Sequence, residues 1–146
     1  MGQAHPEIST SLHWCASALD QAWEANARAY APYSQFHVGA ALLCQNRLFS
    51  GCNVENASYG LTVCAERHAI AAAVRDGSLR RETLEFIIVA APTPRPTYPC
   101  GACLQVLHEF AHSHTLVILS QQPGLIHGWS LLGHLLPEAF GPKDLA

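Results

Sequence analysis

The sequence predicts an α/β fold: one mixed β-sheet with helices on both faces. Three observations lead there. Two short strand-like segments, "FHVGAALL" and "RLFSGCNV", are separated by only a few residues, which calls for an antiparallel hairpin. Further on, helical and strand patterns alternate, which calls for at least one parallel crossover. The runs "LEFIIVAA" and "TLVILS" are nearly all apolar, as strands covered on both faces require.

Each element has a local reason. Over residues 7–30, Ile8, Leu12, Cys15, Leu19, Trp23 and Tyr30 recur at helical spacing after Pro6, a common helix-start residue. Pro32 then opposes helix in the residue before it. The hairpin follows, turning near "CQN", and then the loop "ENASYGLT". "CAERHAIAAAVRD", residues 64–76, is alanine-rich and is followed by Gly77, so it reads as a helix with a glycine C-cap. "PTPRPTYP" has four prolines in eight residues and must be loop. A second helix is expected over 104–111, just after Cys100-Gly-Ala-Cys103. "GLIHGWSL" reads as a weaker fifth strand, "LLGHLLP" as a short helix and "FGPKDLA" as a tail. No repeat or linker divides the 146 residues, so they are read as one domain, 1–146.

Composition narrows the function classes. Apolar residues make up 49% of the chain, which argues against disorder. Net charge is −3 and the basic residues are scattered apart from Arg80–Arg81, so a nucleic-acid partner is not expected. The apolar runs are too short to span a bilayer. "MGQAHPEIST" lacks the charged and apolar regions of a secretory signal, so a cytoplasmic location is expected. In a reducing compartment, six cysteines are more plausibly ligands, nucleophiles or packing residues than disulfides.

The chemistry concentrates in Cys64-x-Glu66 and Pro99-Cys100-x-x-Cys103. A Cys-x-x-Cys pair alone fits a redox couple or half a zinc knuckle. A redox couple does not explain a third cysteine at another helix start with a carboxylate two residues on. Zinc does: three thiolates hold the ion and a fourth position stays open to water. Helix N-termini favour thiolates, so two converging helix starts would present Cys64, Cys100 and Cys103 together. Three thiolates on a dication leave excess negative charge, which Arg67 is placed to offset. Glu66 separates catalytic from structural zinc. A carboxylate beside activated water can take its proton and hand it to a substrate nitrogen. By itself Glu66 fits equally well as an ordinary helix-start carboxylate. With Pro-Cys-x-x-Cys downstream, the pattern is the one the zinc nucleobase deaminases share.

From about residue 33 to 145 the chain resembles the small zinc cytidine deaminases of pyrimidine nucleoside salvage, the homotetrameric class with three cysteine ligands. The blocks that carry this are "YSQFHVGAALL", "GCNVENASYGLTVCAERHAI", "PCGACLQVLHEF" and "LLPEAFGPKDL", in that order. The resemblance implies a three-layer α/β/α sandwich with a mixed, mostly five-stranded sheet. It implies one zinc per chain and hydrolytic deamination of cytidine and 2′-deoxycytidine, with Glu66 as proton shuttle. Asn53 and Glu55 match residues that hydrogen-bond the ribose. Phe36 matches the aromatic that packs on the pyrimidine, with Val38 nearby, and the Ala65 backbone matches a reader of the base edge. Ala57, Tyr59 and Phe140 match positions that complete a neighbouring subunit's pocket. Arg67 matches the arginine that contacts the zinc thiolates. Two positions depart from the family pattern: Leu104 stands where arginine is usual and His68 where threonine is frequent.

The remaining candidates have plainer readings. Cys15, Cys44 and Cys52 are expected in the core. His108 and His112, four apart, are expected on a solvated helix face, and His37 on the far side of the strand that carries Phe36 and Val38. Two rival functions stand beside the first. One is the same chemistry on another aminopyrimidine nucleoside, such as an antibiotic or a modified cytidine. The other is a non-catalytic zinc module, which predicts four protein ligands and no turnover.

Overall fold

The computed structural model describes the backbone of residues 6–145 and the side chains of residues 13–145. Helix α1 spans Pro6–Asn26, and strands β1 (Gly39–Cys44) and β2 (Arg47–Cys52) form the hairpin. Helix α2 (Ala65–Asp76), strand β3 (Leu84–Ala90), helix α3 (Gly101–Phe110) and strand β4 (Ala111–Ser120) supply the alternation. Strand β5 (Gly128–Leu131) and the one-turn helix α4 (Leu132–Leu135) follow. The sheet order is β2-β1-β3-β4-β5, with β3 and β4 parallel and the other pairs antiparallel. This is the mixed five-stranded sheet expected.

The strands alternate their side chains between two apolar layers. Leu42, Ile87, Val89, Val117 and Leu119 pack with Ala65, Ala69, Ala73, Leu104 and Leu107 of α2 and α3. Ala41, Ile88, Ala90 and Ile118 face Ala18, Leu19 and Ala22 of α1 on the other side. Small residues dominate that second layer, so α1 lies close against the sheet.

Local chemistry explains several boundaries. The hairpin turns on Gln45 and Asn46, whose φ values of 49° and 56° are those of a tight two-residue turn that matches the twist of the flanking strands. Helix α2 ends at Gly77, whose φ of 87° suits a residue without Cβ.

Other expectations are corrected. Helix α1 stops at Asn26, not Tyr30; Tyr30 instead bridges Val54. Ile8 and Leu12, placed on its apolar stripe, lie outside the described side chains. Helix α3 starts at Gly101, so Cys103 sits within its first turn rather than before it. Phe36, His37 and Val38 form irregular backbone, not strand, because pairing with β2 and β3 begins at Gly39.

His108 and His112 share no helix face. The chain passes directly from α3 into β4, and residues 112–115 bulge from the ladder while His112 stacks on His114 at 5.0 Å. Of the three cysteines assigned to the core, only Cys44 is fully buried; Cys15 and Cys52 are half-buried. Leu104, which departs from the arginine the resemblance implies, joins the core beneath α2 and α3.

Candidate active site

Two helix starts converge. Cys64 is the N-cap of α2 and Cys100 the N-cap of α3, each with extended backbone and neither sulfur spent on capping. Cys103 lies one turn into α3 and is buried. The three sulfurs lie within 4.8 Å of one another, so they can close on one ion with metal–sulfur distances of ~2.3 Å. Among the described residues this is the one such cluster.

The protonation pattern shows what the donor set lacks. Hydrogen bonding from the Cys103 thiol, helped by Arg67 and Cys100 against the cost of burial, brings Cys64 down to about 5. Cys103 is pushed strongly upward by its bond to the Cys64 sulfur, by burial and by the charges of Glu66 and Cys64. The Cys64 thiolate forms readily and Cys103 must then keep its proton. A dication bound by all three sulfurs would take the place of that proton, and the soft sulfur set suits zinc. The residues present therefore fit a zinc ion.

Arg67 offsets part of the charge. Its Nη2 donates to the Thr62 carbonyl at 3.0 Å and lies 3.8 Å from Cys64 Sγ, while its Nε is buried without an acceptor. Glu66, 4% exposed, is on the first turn of the same helix. Burial pushes its carboxyl above the usual range, opposed by a hydrogen bond from its own backbone amide and reinforced by the Cys64 charge.

These groups line a cavity of about 310 Å³. Cys64, Ala65, Glu66 and Cys100 form its floor, and Phe36, Val38, Asn53 and Glu55 stand on its walls. Thr62, Val89 and Tyr98 complete it. Ser34, Glu55 and Thr62 also border a second cavity of about 230 Å³, where Tyr59 meets Tyr33 at 6.0 Å.

The wall is built from a strap, residues 53–55, threaded between two backbone partners. The Tyr30 amide donates to the Asn53 carbonyl at 3.0 Å, and the Glu55 amide to the Tyr30 carbonyl at 2.8 Å. Val54 exchanges bonds with Val63 at 2.9 and 3.0 Å, which ties the strap to the residue before Cys64. The Asn53 side chain spends one lone pair and one hydrogen on the protein: Oδ1 accepts from the Val38 N–H at 2.8 Å, and Nδ2 donates to the Phe36 carbonyl at 2.7 Å.

Glu55 is half-exposed rather than buried. Its carboxylate accepts from the amides of Tyr33 (2.9 Å) and Ser34 (3.2 Å) and from the Ser34 hydroxyl. The Ser34 hydroxyl, with those amides, holds the carboxyl below the usual range against a smaller cost of burial.

His68 has a clear geometric role here. Its Nδ1 meets the Cys52 carbonyl at 2.8 Å, and since a carbonyl only accepts, Nδ1 carries the proton. The bond docks α2 against the end of β2, beside the strap.

Three predicted residues fall outside the main cavity of this chain. Ala57 is exposed, Tyr59 is 75% exposed, and Phe140 is 59% exposed, with its carbonyl held by Gln105 Nε2 at 2.8 Å. Sequence reasoning missed Ser34, Tyr98 and Asn26. Asn26 carried a signal: it interrupts the apolar stripe of Cys15, Leu19 and Ala22 on α1 with a polar side chain.

Comparison with known proteins agrees with this geometry. A family described as the cytidine and deoxycytidylate deaminase zinc-binding region matches residues 12–119. The chain is 43% identical over 124 residues to a cytidine deaminase of Sporosarcina psychrophila, covering 84% of this chain and 88% of the relative. It is 45% identical over 128 residues to one of Halalkalibacterium halodurans, covering 87% and 94%. The crystal structure of a cytidine deaminase from Burkholderia pseudomallei superposes with a TM-score of 0.78 at 44% identity, over 85% of this chain and 97% of that one. A cytidine deaminase from Mycobacterium tuberculosis superposes with a TM-score of 0.70 at 41% identity, over 86% and 95%.

Proposed function

Because the chain belongs to the cytidine and deoxycytidylate deaminase family, we propose that it converts cytidine and 2′-deoxycytidine to the corresponding uridines, with release of ammonia. One observation carries the reading. A nine-tenths-buried carboxylate, Glu66, shares a cavity floor with two of three clustered cysteines, beneath an aromatic and polar wall sized for a nucleoside.

Cys64, Cys100 and Cys103 would hold the zinc. Bound there, zinc supplies a Lewis acid that activates water. The chain's own residues do the rest. Glu66 takes a proton from the incoming water at a carboxylate oxygen and delivers it to N3 of the pyrimidine. As the water oxygen bonds to C4, Glu66 takes the second proton from the new C4 hydroxyl and hands it to the amino group, so the C4–N bond breaks, ammonia leaves and the C4 carbonyl forms. A carboxyl raised by burial suits this shuttling, because it binds the proton firmly enough to carry it and loosely enough to give it up. The Ala65 backbone reads the base edge, and Arg67 balances thiolate charge.

Phe36 packs on the ring, with Val38 beside it. Asn53 and Glu55 receive the ribose, Glu55 as a charged acceptor already oriented by Ser34. Neither cavity is lined by Lys or Arg among the described residues, and Glu55 stands between them. That environment favours an unphosphorylated nucleoside over a nucleotide.

We place the whole chain in one catalytic unit that works as a homotetramer in the cytoplasm. The exposure of Tyr59, Phe140 and Ala57 in the single chain supports their use in a neighbour's pocket. Six free cysteines suit a reducing compartment. No helix among the described residues is long and apolar enough to cross a membrane.

The test is Glu66→Gln. Zinc content should stay at one ion per chain, while turnover of cytidine falls by ~10²-fold or more, the range lost with a general acid–base group. Undiminished deamination would remove Glu66 from the mechanism. Wild-type protein that binds zinc but deaminates neither nucleoside would return the chain to a structural zinc role. Activity confined to a modified or antibiotic aminopyrimidine would move the substrate assignment.

A further inference from the structure

The segment 36–38 is a cavity wall without secondary structure, yet its backbone groups are held from two sides. On one side is Asn53, which takes the Phe36 carbonyl and the Val38 amide and whose own amide donates to the Val38 carbonyl at 3.1 Å. On the other side is Asn26, the last residue of α1 and only 8% exposed. Asn26 Nδ2 donates to the His37 carbonyl at 2.8 Å and to the Ala90 carbonyl at 3.1 Å.

An amide nitrogen has two hydrogens, so this one group is fully used by two acceptors. The acceptors belong to two neighbouring segments that each supply lining to the same cavity. His37 lies between Phe36 and Val38, and Ala90 follows Val89 at the end of β3, the strand that pairs with β1 from Gly39 on. Gly39 allows the approach: a Cβ there would lie 1.9 Å from the Ala22 carbonyl oxygen and 2.4 Å from the Asn26 amide nitrogen. The chain after Val38 therefore rests backbone-to-backbone on the last turns of α1, which leaves the Asn26 side chain little freedom.

We propose that Asn26 is a positioning residue of the active site. By pinning the Phe36–Val38 wall against the end of β3, just before the β1–β3 ladder begins, it fixes the position of the wall that receives the pyrimidine. The inference rests on the nucleoside-deaminase reading above. Asn26 touches no substrate; it acts through Phe36 and Val38. Without it, the His37 and Ala90 carbonyls lose a shared donor, and the segment between the Ser34 hydroxyl, which holds the Phe36 amide, and the start of β1 is held by Asn53 alone. The aromatic wall then has more positions to sample, and ordering it must draw on binding energy. Glu66 and the three cysteines ride on α2 and α3 and are not moved, so binding should suffer more than chemistry.

The experiment compares Asn26→Ala with Phe36→Ala, their double variant, and Leu19→Ala, all zinc-loaded and assayed on cytidine well below their melting temperatures. Leu19→Ala removes packing from the same helix without touching the segment, so it controls for simple destabilisation. Asn26→Ala should raise KM roughly tenfold with kcat within about threefold, while Leu19→Ala leaves KM near wild type. The double variant should raise KM little beyond Phe36→Ala alone, because the two changes share one route. Asn26→Ser, which keeps one hydroxyl donor, serves if Asn26→Ala does not fold and should raise KM by a smaller factor. A folded Asn26 variant with wild-type KM overturns the proposal, as does full multiplicativity with Phe36→Ala. An inactive wild-type enzyme would instead overturn the function on which the proposal rests.

Discussion

Gly51→Ala probes how tightly the metal helix is seated. Gly51 is on β2, and a Cβ there would lie 2.5 Å from the Ala69 amide nitrogen, 2.7 Å from the Ala65 carbonyl oxygen and 2.7 Å from His68 Cβ. All three belong to α2, and two are backbone atoms that cannot rotate away. Ordinary heavy-atom contacts need ~3.5 Å, so α2 must retreat by about 1 Å. Overpacking of this kind costs ~1–3 kcal/mol.

The retreat also stretches the 2.8 Å bond from His68 to the Cys52 carbonyl beyond hydrogen-bonding distance, which adds ~0.5–1.5 kcal/mol. The combined loss is about 1.5–4.5 kcal/mol. At roughly 3 °C per kcal/mol for a chain of this size, the melting temperature should fall by about 5–14 °C, leaving a folded protein. Function should suffer further, because Cys64 and Glu66 move with the helix while the wall segment stays with β1. A ~1 Å misplacement of a catalytic group costs on the order of 10²-fold in kcat. Thermal melts followed by circular dichroism, with kcat on cytidine and zinc content on the same preparation, measure both effects. A variant melting within 2 °C of wild type, roughly the resolution of such a melt, and retaining its kcat would refute the close seating of α2 on β2.

Two further outcomes follow from the titrating groups. Folding favours the ionised form of Glu55, so its contribution to stability is complete above the ordinary carboxylate range and fades as pH falls through the lowered folded value. Glu55→Gln should therefore flatten the acid limb of stability below the ordinary carboxylate range in denaturant titrations, and an unchanged acid limb would contradict the bonding drawn for its carboxylate. After chelation, Cys64, held at about 5, should be alkylated rapidly at neutral pH, whereas Cys44, buried and pushed up to about 11, should resist. Zinc should protect Cys64, and peptide mass spectrometry would show it; equal labelling of Cys64 with and without zinc would remove it from the ligand set.

The cavity floor, with its clustered cysteines and carboxylate, was legible in the sequence because its geometry is local. Cys64 and Glu66 are set by one helix start, and Cys100 and Cys103 by another, so spacing along the chain already fixes their relative placement. The five strands were legible for the same reason, since apolar runs and a short turn near "CQN" need no distant partner to be recognised. The walls were less so. The helical spacing that carried α1 on to Tyr30 failed because Tyr30 exchanges backbone bonds with the 53–55 strap. The strand expected through Phe36 and Val38 failed because side-chain amides, not a neighbouring strand, satisfy that backbone. His112 left its helix because β4 begins at Ala111.

The sequence by itself determined the metal donor set, the carboxylate beside it and the order of the elements, all consequences of short-range periodicity and residue chemistry. Tertiary structure alone decided that Glu66 is buried while Glu55 is half-exposed and pre-oriented by Ser34, and that His68 docks a helix on a strand. It alone placed Asn26, 11 residues from His37 and 64 from Ala90, within reach of both carbonyls beside one cavity. The physical reason is common to these cases. Burial and hydrogen bonding depend on what packs from elsewhere in the chain, and a buried amide takes whichever carbonyls the fold brings within about 3 Å.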